Sequence, residues 1–181
     1  MTTLRERLLA GRTIALGGRG PSGALRDRLA ALGAAVSELE LSSALDDEQA
    51  VELVRARGRL DALVHDARGA FAGGGQPALT AALEETWRAT AAVANGALIA
   101  AATGKVVLIA PPPDAGPHSG AARAALENLA RTLSIEWSRY GITTTAILPG
   151  AGTGEDAVDD LVAFLLSPAG DYYSGCRFEL A

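Results

Sequence analysis

Cysteine occurs once in the 181 residues, at Cys176, so no intrachain disulfide can form. Histidine occurs twice, at His65 and His118, and no Cys/His cluster has the spacing of a metal site. Aromatic residues make up only 4%. Basic residues are outnumbered 16 to 21 by acidic ones, for a net charge of -5. That balance argues against a nucleic-acid partner, because affinity for phosphate backbones comes from clustered Lys and Arg. Residues 1–10 alternate charge with leucine and lack the continuous apolar core of a signal peptide. The longest uncharged run, 89–104, is too short and too diluted by Thr, Asn and Gly for a membrane span. Together these absences lead us to expect a soluble cytoplasmic protein. What is present is 49% hydrophobic sequence in a length that suits one domain, 1–181, with a single buried core.

Short apolar runs alternate with longer helical patterns. Residues 13–16 read as a buried strand ending in glycines, and 21–32 as a helix stopped by Gly33. A second strand at 34–39 is weakened by Ser37 and Glu38, and Asp46, Asp47 and Glu48 open a helix that runs to Arg57. Strands follow at 61–64, 106–109, 143–148 and 176–180, separated by helices at 78–103, 119–140 and 155–166. Six strands alternating with helices predict an α/β fold: a Rossmann-like, doubly wound, mainly parallel sheet with helices on both faces.

Gly18-Arg19-Gly20-Pro21-Ser22-Gly23 is a GxGxxG sequence between the first strand and first helix. Such glycines permit a tight turn, close approach of backbone to a pyrophosphate, and helix–strand packing. The helix N-terminus then offers free N–H groups to phosphate. Glu40, at the end of the second strand, stands where an acid binds adenosine ribose hydroxyls, and would favour NAD over NADP. Gly18, Arg19, Gly20, Gly23 and Glu40 are therefore the candidate cofactor-binding residues. The alternative is that the glycines serve only a sharp strand-to-helix turn, a use that Pro21 also suits.

The chain resembles the short-chain dehydrogenase/reductase (SDR) family over nearly its whole length. The resemblance rests on residues 11–18, on Asp46-Asp47-Glu48 with Val51, on 58–67, on 104–109, on 124–129 with Tyr140-Gly141-Ile142 and Pro149-Gly150, and on the tail 165–175. Aligned on 124–126, the family's catalytic Tyr falls on Ser119, its Lys on Arg123 and its Ser on Pro111, or on Ala110 if the register slips. The helix Asn falls on Ala94, with Asn95 one position late, and the Asn-Asn-Ala-Gly segment becomes His65-Asp66-Ala67-Arg68. The Asp expected to meet adenine aligns with Ala44. One strand–helix unit between Glu40 and Asp47 is missing, 111–119 is short, and Pro149-Gly150 runs almost directly into the helix at Glu155. The family's substrate lid has no place there.

The resemblance implies hydride transfer assisted by a Tyr whose pKa a Lys lowers. Ser119 is far less acidic, and Arg123 does not give up its proton. His118, with Asp114 as orienting carboxylate, is the one candidate replacement acid, although a solvated loop histidine explains it as well. His65-Asp66 is a second pair, placed on opposite faces of a strand. Arg123 also reads as part of an i,i+4 charge ladder with Glu127 and Arg131. No charge occurs between Arg88 and Lys105, so protein is expected on both sides of that helix. In the family the corresponding helices pair across two-fold axes. The expectation is a non-catalytic structural or regulatory subunit, assembling through the 78–103 and 119–140 helices with itself or with an active relative. The alternatives are an NAD(P)-dependent oxidoreductase with an unusual proton donor, and a dinucleotide-sensing module.

Overall fold

The computed structural model describes residues 4–18 and 23–181. Six strands, β1 (Thr13–Gly17), β2 (Ala35–Leu39), β3 (Ala62–Asp66), β4 (Gly104–Ile109), β5 (Ile142–Leu148) and β6 (Arg177–Glu179), form one sheet in the order β2-β1-β3-β4-β5-β6. Every pairing is parallel. The central strands β3 and β4 are buried at every position, as strands covered on both faces are, and His65, Asp66 and Lys105 are their buried polar residues. β2 is an edge strand, and this explains why Ser37 and Glu38 can interrupt it: both are exposed.

The helices are α1 (Gly23–Ala31), α2 (Asp47–Ala56), α3 (Gly75–Val93), α4 (Ile99–Ala101), α5 (Ser119–Glu136) and α6 (Glu155–Leu166). One face of the sheet packs Leu63, Val106 and Leu108 against α2, α3 and α5 through Val54, Val93 and Leu126. The other packs Ile14, Val64 and Val107 against α1 and α6 through Leu25, Leu29, Val162 and Leu166. Each such side chain contributes roughly 1.5–3 kcal/mol by leaving water. At the N-terminal edge, the Asp61 carboxylate accepts the Thr13 N–H at 2.7 Å. Lys105 donates to the Leu165 and Ser167 carbonyls at 2.9 and 2.7 Å, which ties the C-terminal segment to β4.

Two expectations need correction. The helix expected at 78–103 begins at Gly75 and is interrupted by a π-helical stretch, Ala94–Leu98, before α4. The uncharged stretch of that helix is covered in part from within the chain. A Cβ on Gly96 would fall 2.9 Å from the Val51 carbonyl oxygen and from Val54, so α2 lies directly on it. The helix expected to reach residue 140 ends at Glu136, followed by a 3₁₀ turn at Ser138–Tyr140. Among the described residues, no helix is long and apolar enough to cross a membrane.

Candidate functional site

In open parallel sheets ligands gather beyond the C-terminal strand ends. Here β1 ends against β3: a Cβ on Gly18 would sit 2.0 Å from the Asp66 carbonyl oxygen, and its φ is +105°, so only glycine fits. Arg19 and Gly20, with Pro21 and Ser22, lie outside the described residues. Gly23 opens α1 with nothing within 4 Å of a Cβ position. The helix–strand packing role expected of the third glycine is therefore not what Gly23 performs. Glu40 is exposed one residue past β2. It borders a cavity of about 370 Å³ between the end of β2 and α3, walled by Leu16, Leu39, Leu41 and Ala89.

His65 lines the same cavity. It is buried, and neither ring nitrogen has a hydrogen-bond partner among the described residues. Burial lowers its pKa to about 4 against the opposing pull of the Asp66 carboxylate, so the ring is neutral at physiological pH. Its register partner on β1 is Gly17, where a Cβ would fall 2.9 Å from Nδ1. His65 and Asp66 do not act as a pair. The Asp66 carboxylate accepts from the Arg68 backbone N–H at 3.0 Å and from the Arg68 guanidinium at 2.8–3.1 Å.

Arg68 also reaches Glu155, at the start of α6, at 2.7 and 3.0 Å. Burial works against the Arg68 charge, but its bonds to the two carboxylates outweigh that and raise its pKa. Next to this network Asp159 is buried, with Oδ1 lacking a hydrogen-bond partner among the described residues. Its pKa rises to about 6, chiefly through burial and then through Glu155, while Arg68 opposes. Arg68 entered the sequence reading only as a departure and Glu155 only as a helix start. The available signal was the clustering of Glu155, Asp156, Asp159 and Asp160 on two turns of one helix.

The two positions aligned with the family's Tyr and Lys are engaged in backbone contacts. Ser119 is buried and donates from Oγ to the Pro113 carbonyl at 2.5 Å. Arg123 donates from Nη1 to the carbonyls of Pro111 and Pro149, at 2.9 and 2.6 Å, joining the ends of β4 and β5. It is not part of the expected charge ladder, because Glu127 binds Arg131 and Arg177 instead. Burial lowers the Arg123 pKa, with Glu179 opposing. Ala94 is fully buried in the π-helical stretch. Asn95 is exposed and bonds the Ala91 carbonyl, so it does not substitute for a site asparagine. His118 and Asp114 are both exposed, and His118 opens α5 in the left-handed region at φ +70°. Six residues, 149–154, join β5 to α6 in a turn fastened by the Gly150 N–H to Thr153 Oγ1 at 2.7 Å. Among the described residues no group of His, Cys, Asp and Glu could hold a metal.

No protein-family model matches the chain. It is 35% identical over 113 residues to a probable 2,4-dienoyl-CoA reductase of Bacillus subtilis; the match takes in 55% of this chain and 44% of that protein. The chain thus spans less than half the length of this curated relative. The citronellol catabolism dehydrogenase AtuB of Pseudomonas aeruginosa superposes over 99% of this chain and 97% of its own, at a TM-score of 0.78 and 25% identity. The fold is that of the short-chain dehydrogenase/reductases. A protein of Beutenbergia cavernae described as a putative NAD(P)-dependent gluconate 5-dehydrogenase, solved with NADP at low occupancy, matches this SDR-like chain at a TM-score of 0.71 and 21% identity. That match covers 94% of this chain and 95% of the neighbour. At this identity it speaks for the SDR-like fold alone.

Proposed function

We propose that this SDR-like chain is a non-catalytic structural or regulatory subunit that assembles with itself or with an active relative in the cytoplasm. One observation carries the reading: at the two positions aligned with the family's Tyr and Lys, Ser119 Oγ and Arg123 Nη1 donate to the Pro113, Pro111 and Pro149 carbonyls. A serine hydroxyl is far less acidic than the phenol it replaces, and a guanidinium stays protonated. Loss of a positioned general acid alone costs roughly 10²–10⁴ in rate. The short 149–154 turn supports the same conclusion, since it leaves no segment to exclude water from a reacting substrate.

Whether NAD fits divides along the site. Glu40, Gly18 and the cavity around His65 suit an adenosine moiety. Toward β4 and β5, Arg68 spans from Asp66 to Glu155, and Arg123 closes on two carbonyls. The residues at that end do not fit a reacting nicotinamide. For assembly, the solvent side of α3 and α5 carries Trp87, 50% exposed, and Ile135, 75% exposed. Both lie on the helices expected to form the interface.

The test is steady-state assay of the purified chain with NADH and NADPH against enoyl-CoA and ketone substrates, together with native mass measurement. We expect no turnover above background and a mass of more than one copy, or a complex with an active relative from the source cell. Turnover abolished by His118→Ala would overturn the proposal in favour of an unusual oxidoreductase.

A further inference from the structure

The N-terminal ends of the strands, opposite the Gly18 turn, border a second cavity of about 460 Å³, within the roughly 300–1,000 Å³ of small-molecule sites. Arg12 stands before β1 and Asp61 before β3, while Gly104 and Lys105 open β4 and Ile142 and Thr143 open β5. Its walls are held in place by contacts within the chain. Gly141, at φ +66°, lies so close to the turn before β4 that a Cβ would fall 2.8 Å from the Ala102 carbonyl oxygen. The 171–175 segment is fastened to β5 by the Gly175 N–H, which donates to the Thr144 carbonyl at 2.8 Å. The Lys105–Asp171 ion pair, at 2.5 Å, fastens the same segment to β4.

The charges around this cavity leave one cation unmatched. The Asp61 carboxylate accepts the Thr13 N–H through one oxygen and the Arg59 guanidinium, at 2.7 and 3.1 Å, through the other. The buried Lys105 ammonium pairs with Asp171 and donates to the Leu165 and Ser167 carbonyls, so its three protons are engaged. The Arg12 guanidinium borders the cavity and makes no hydrogen bond or ion pair among the described residues. Burial lowers the Lys105 pKa, Asp171 opposes, and the Arg12 charge lowers it further, so the two cations are within electrostatic reach of one another. Hydroxyls from Thr103, Thr143, Ser134, Ser138 and Ser174 supply much of the remaining lining. Ser134 and Ser138 already donate to the Arg131 and Ile135 carbonyls at 2.7 Å, which leaves their oxygens as acceptors. A guanidinium fork suits a carboxylate, and one unmatched positive charge calls for one negative charge, not two.

We infer that this cavity binds a hydroxylated carboxylic acid of sugar size, its carboxylate on Arg12 and its hydroxyls on the serines and threonines. The cavity lies at the opposite strand ends from Gly18 and Glu40, so the inference does not depend on the non-catalytic reading.

D-Glucuronate is the probe, titrated into the full chain and followed by backbone-amide NMR. Glucose, acetate and glucose 6-phosphate are the comparison arms: hydroxyls without charge, charge without hydroxyls, and a second charge. Glucuronate is expected to bind saturably and to move the amides of Thr103, Gly104, Gly141, Thr143 and Ser174 while those of Gly17 and Gly18 stay in place. Each comparison compound is expected to bind more weakly. Arg12→Gln, which breaks no bond among the described residues, is expected to fold and to lose about tenfold or more in affinity, as removal of a charged hydrogen bond does. Arg12→Lys, which keeps the charge without the fork, should retain part of the binding. The site is refuted if glucuronate fails to saturate, if it moves only the Gly17–Gly18 end, or if Arg12→Gln binds it undiminished. Glucose binding as tightly as glucuronate overturns the role of charge, acetate doing so overturns the role of the hydroxyls, and glucose 6-phosphate binding more tightly overturns the single-charge assignment.

Discussion

Substituting Asn for Asp159 removes a carboxyl whose pKa burial and the adjacent Glu155 raise from 3.8 to about 6, with Asp156 and Asp160 adding to the effect and Arg68 opposing it. Between those two values the folded chain holds a proton that the unfolded chain has released. Stability therefore falls as pH rises from about 4 to about 6, and the penalty is fully present above that window. A gap of about two pKa units corresponds to roughly 3 kcal/mol, and relaxation around the charge reduces it to about 1–3 kcal/mol. Asp159→Asn should stabilise the protein by that amount at pH 8, raising Tm by roughly 3–10 °C, and by little at pH 4.

His65 works in the opposite direction. Its pKa falls from 6.5 to about 4 on folding, so the unfolded chain binds the extra proton. Its contribution is fully present above about pH 6.5 and is lost as pH drops toward 4, again by up to roughly 3 kcal/mol. In the wild-type chain the two slopes overlap and offset one another. Asp159→Asn should expose the rising slope of His65, and His65→Leu the falling slope of Asp159. Urea unfolding of all three proteins at pH 4, 5, 6 and 8 tests this, because differences at each pH cancel every other titrating group. Equal stabilisation by Asp159→Asn at pH 4 and pH 8 would refute the reasoning, as would destabilisation at pH 8.

Arg123→Ala leaves the Pro111 and Pro149 carbonyls without their donor and should cost about 1–3 kcal/mol in denaturant unfolding, with no turnover lost because none is expected. Gly17→Ala drives a methyl group into His65 Nδ1 and should cost roughly 1–3 kcal/mol. The Gly17→Ala/His65→Ala double variant should recover most of that loss, a coupling that a double-mutant cycle reads directly. Arg68→Ala strips the buried Asp66 carboxylate of its guanidinium and should cost about 3–5 kcal/mol. In that variant the Asp159 pKa, followed by carboxyl NMR, should rise further, since Arg68 is the group that holds it down.

The parts of this molecule that were legible in its sequence are those set by short-range pattern. β1, β4 and β5 stand out because strands buried on both faces are rich in apolar and β-branched residues, and α6 has the bounds expected of it, 155–166. β2 read weakly for the physical reason that it is the sheet's edge. The π-helical stretch at Ala94–Leu98 left no mark, since a wide turn in a run of alanines keeps helical composition; only Gly96, kept small by α2, hints at it. At the site, Glu40 and His65 could be placed at strand ends, but what they do there depends on partners far along the chain. Arg68 meets Glu155 across 87 residues. Helical spacing offers Glu127 as one partner for Arg123, yet Glu127 binds Arg177 from β6, fifty residues on. That competition leaves the Arg123 guanidinium for the two proline carbonyls. An i,i+4 pair on a helix surface contributes only about 0.2–0.5 kcal/mol, less than a charged hydrogen bond to a partly buried carbonyl. Tertiary geometry outweighs local spacing at this position, and the same inequality explains why the closed end of the site could not be read from the chain alone.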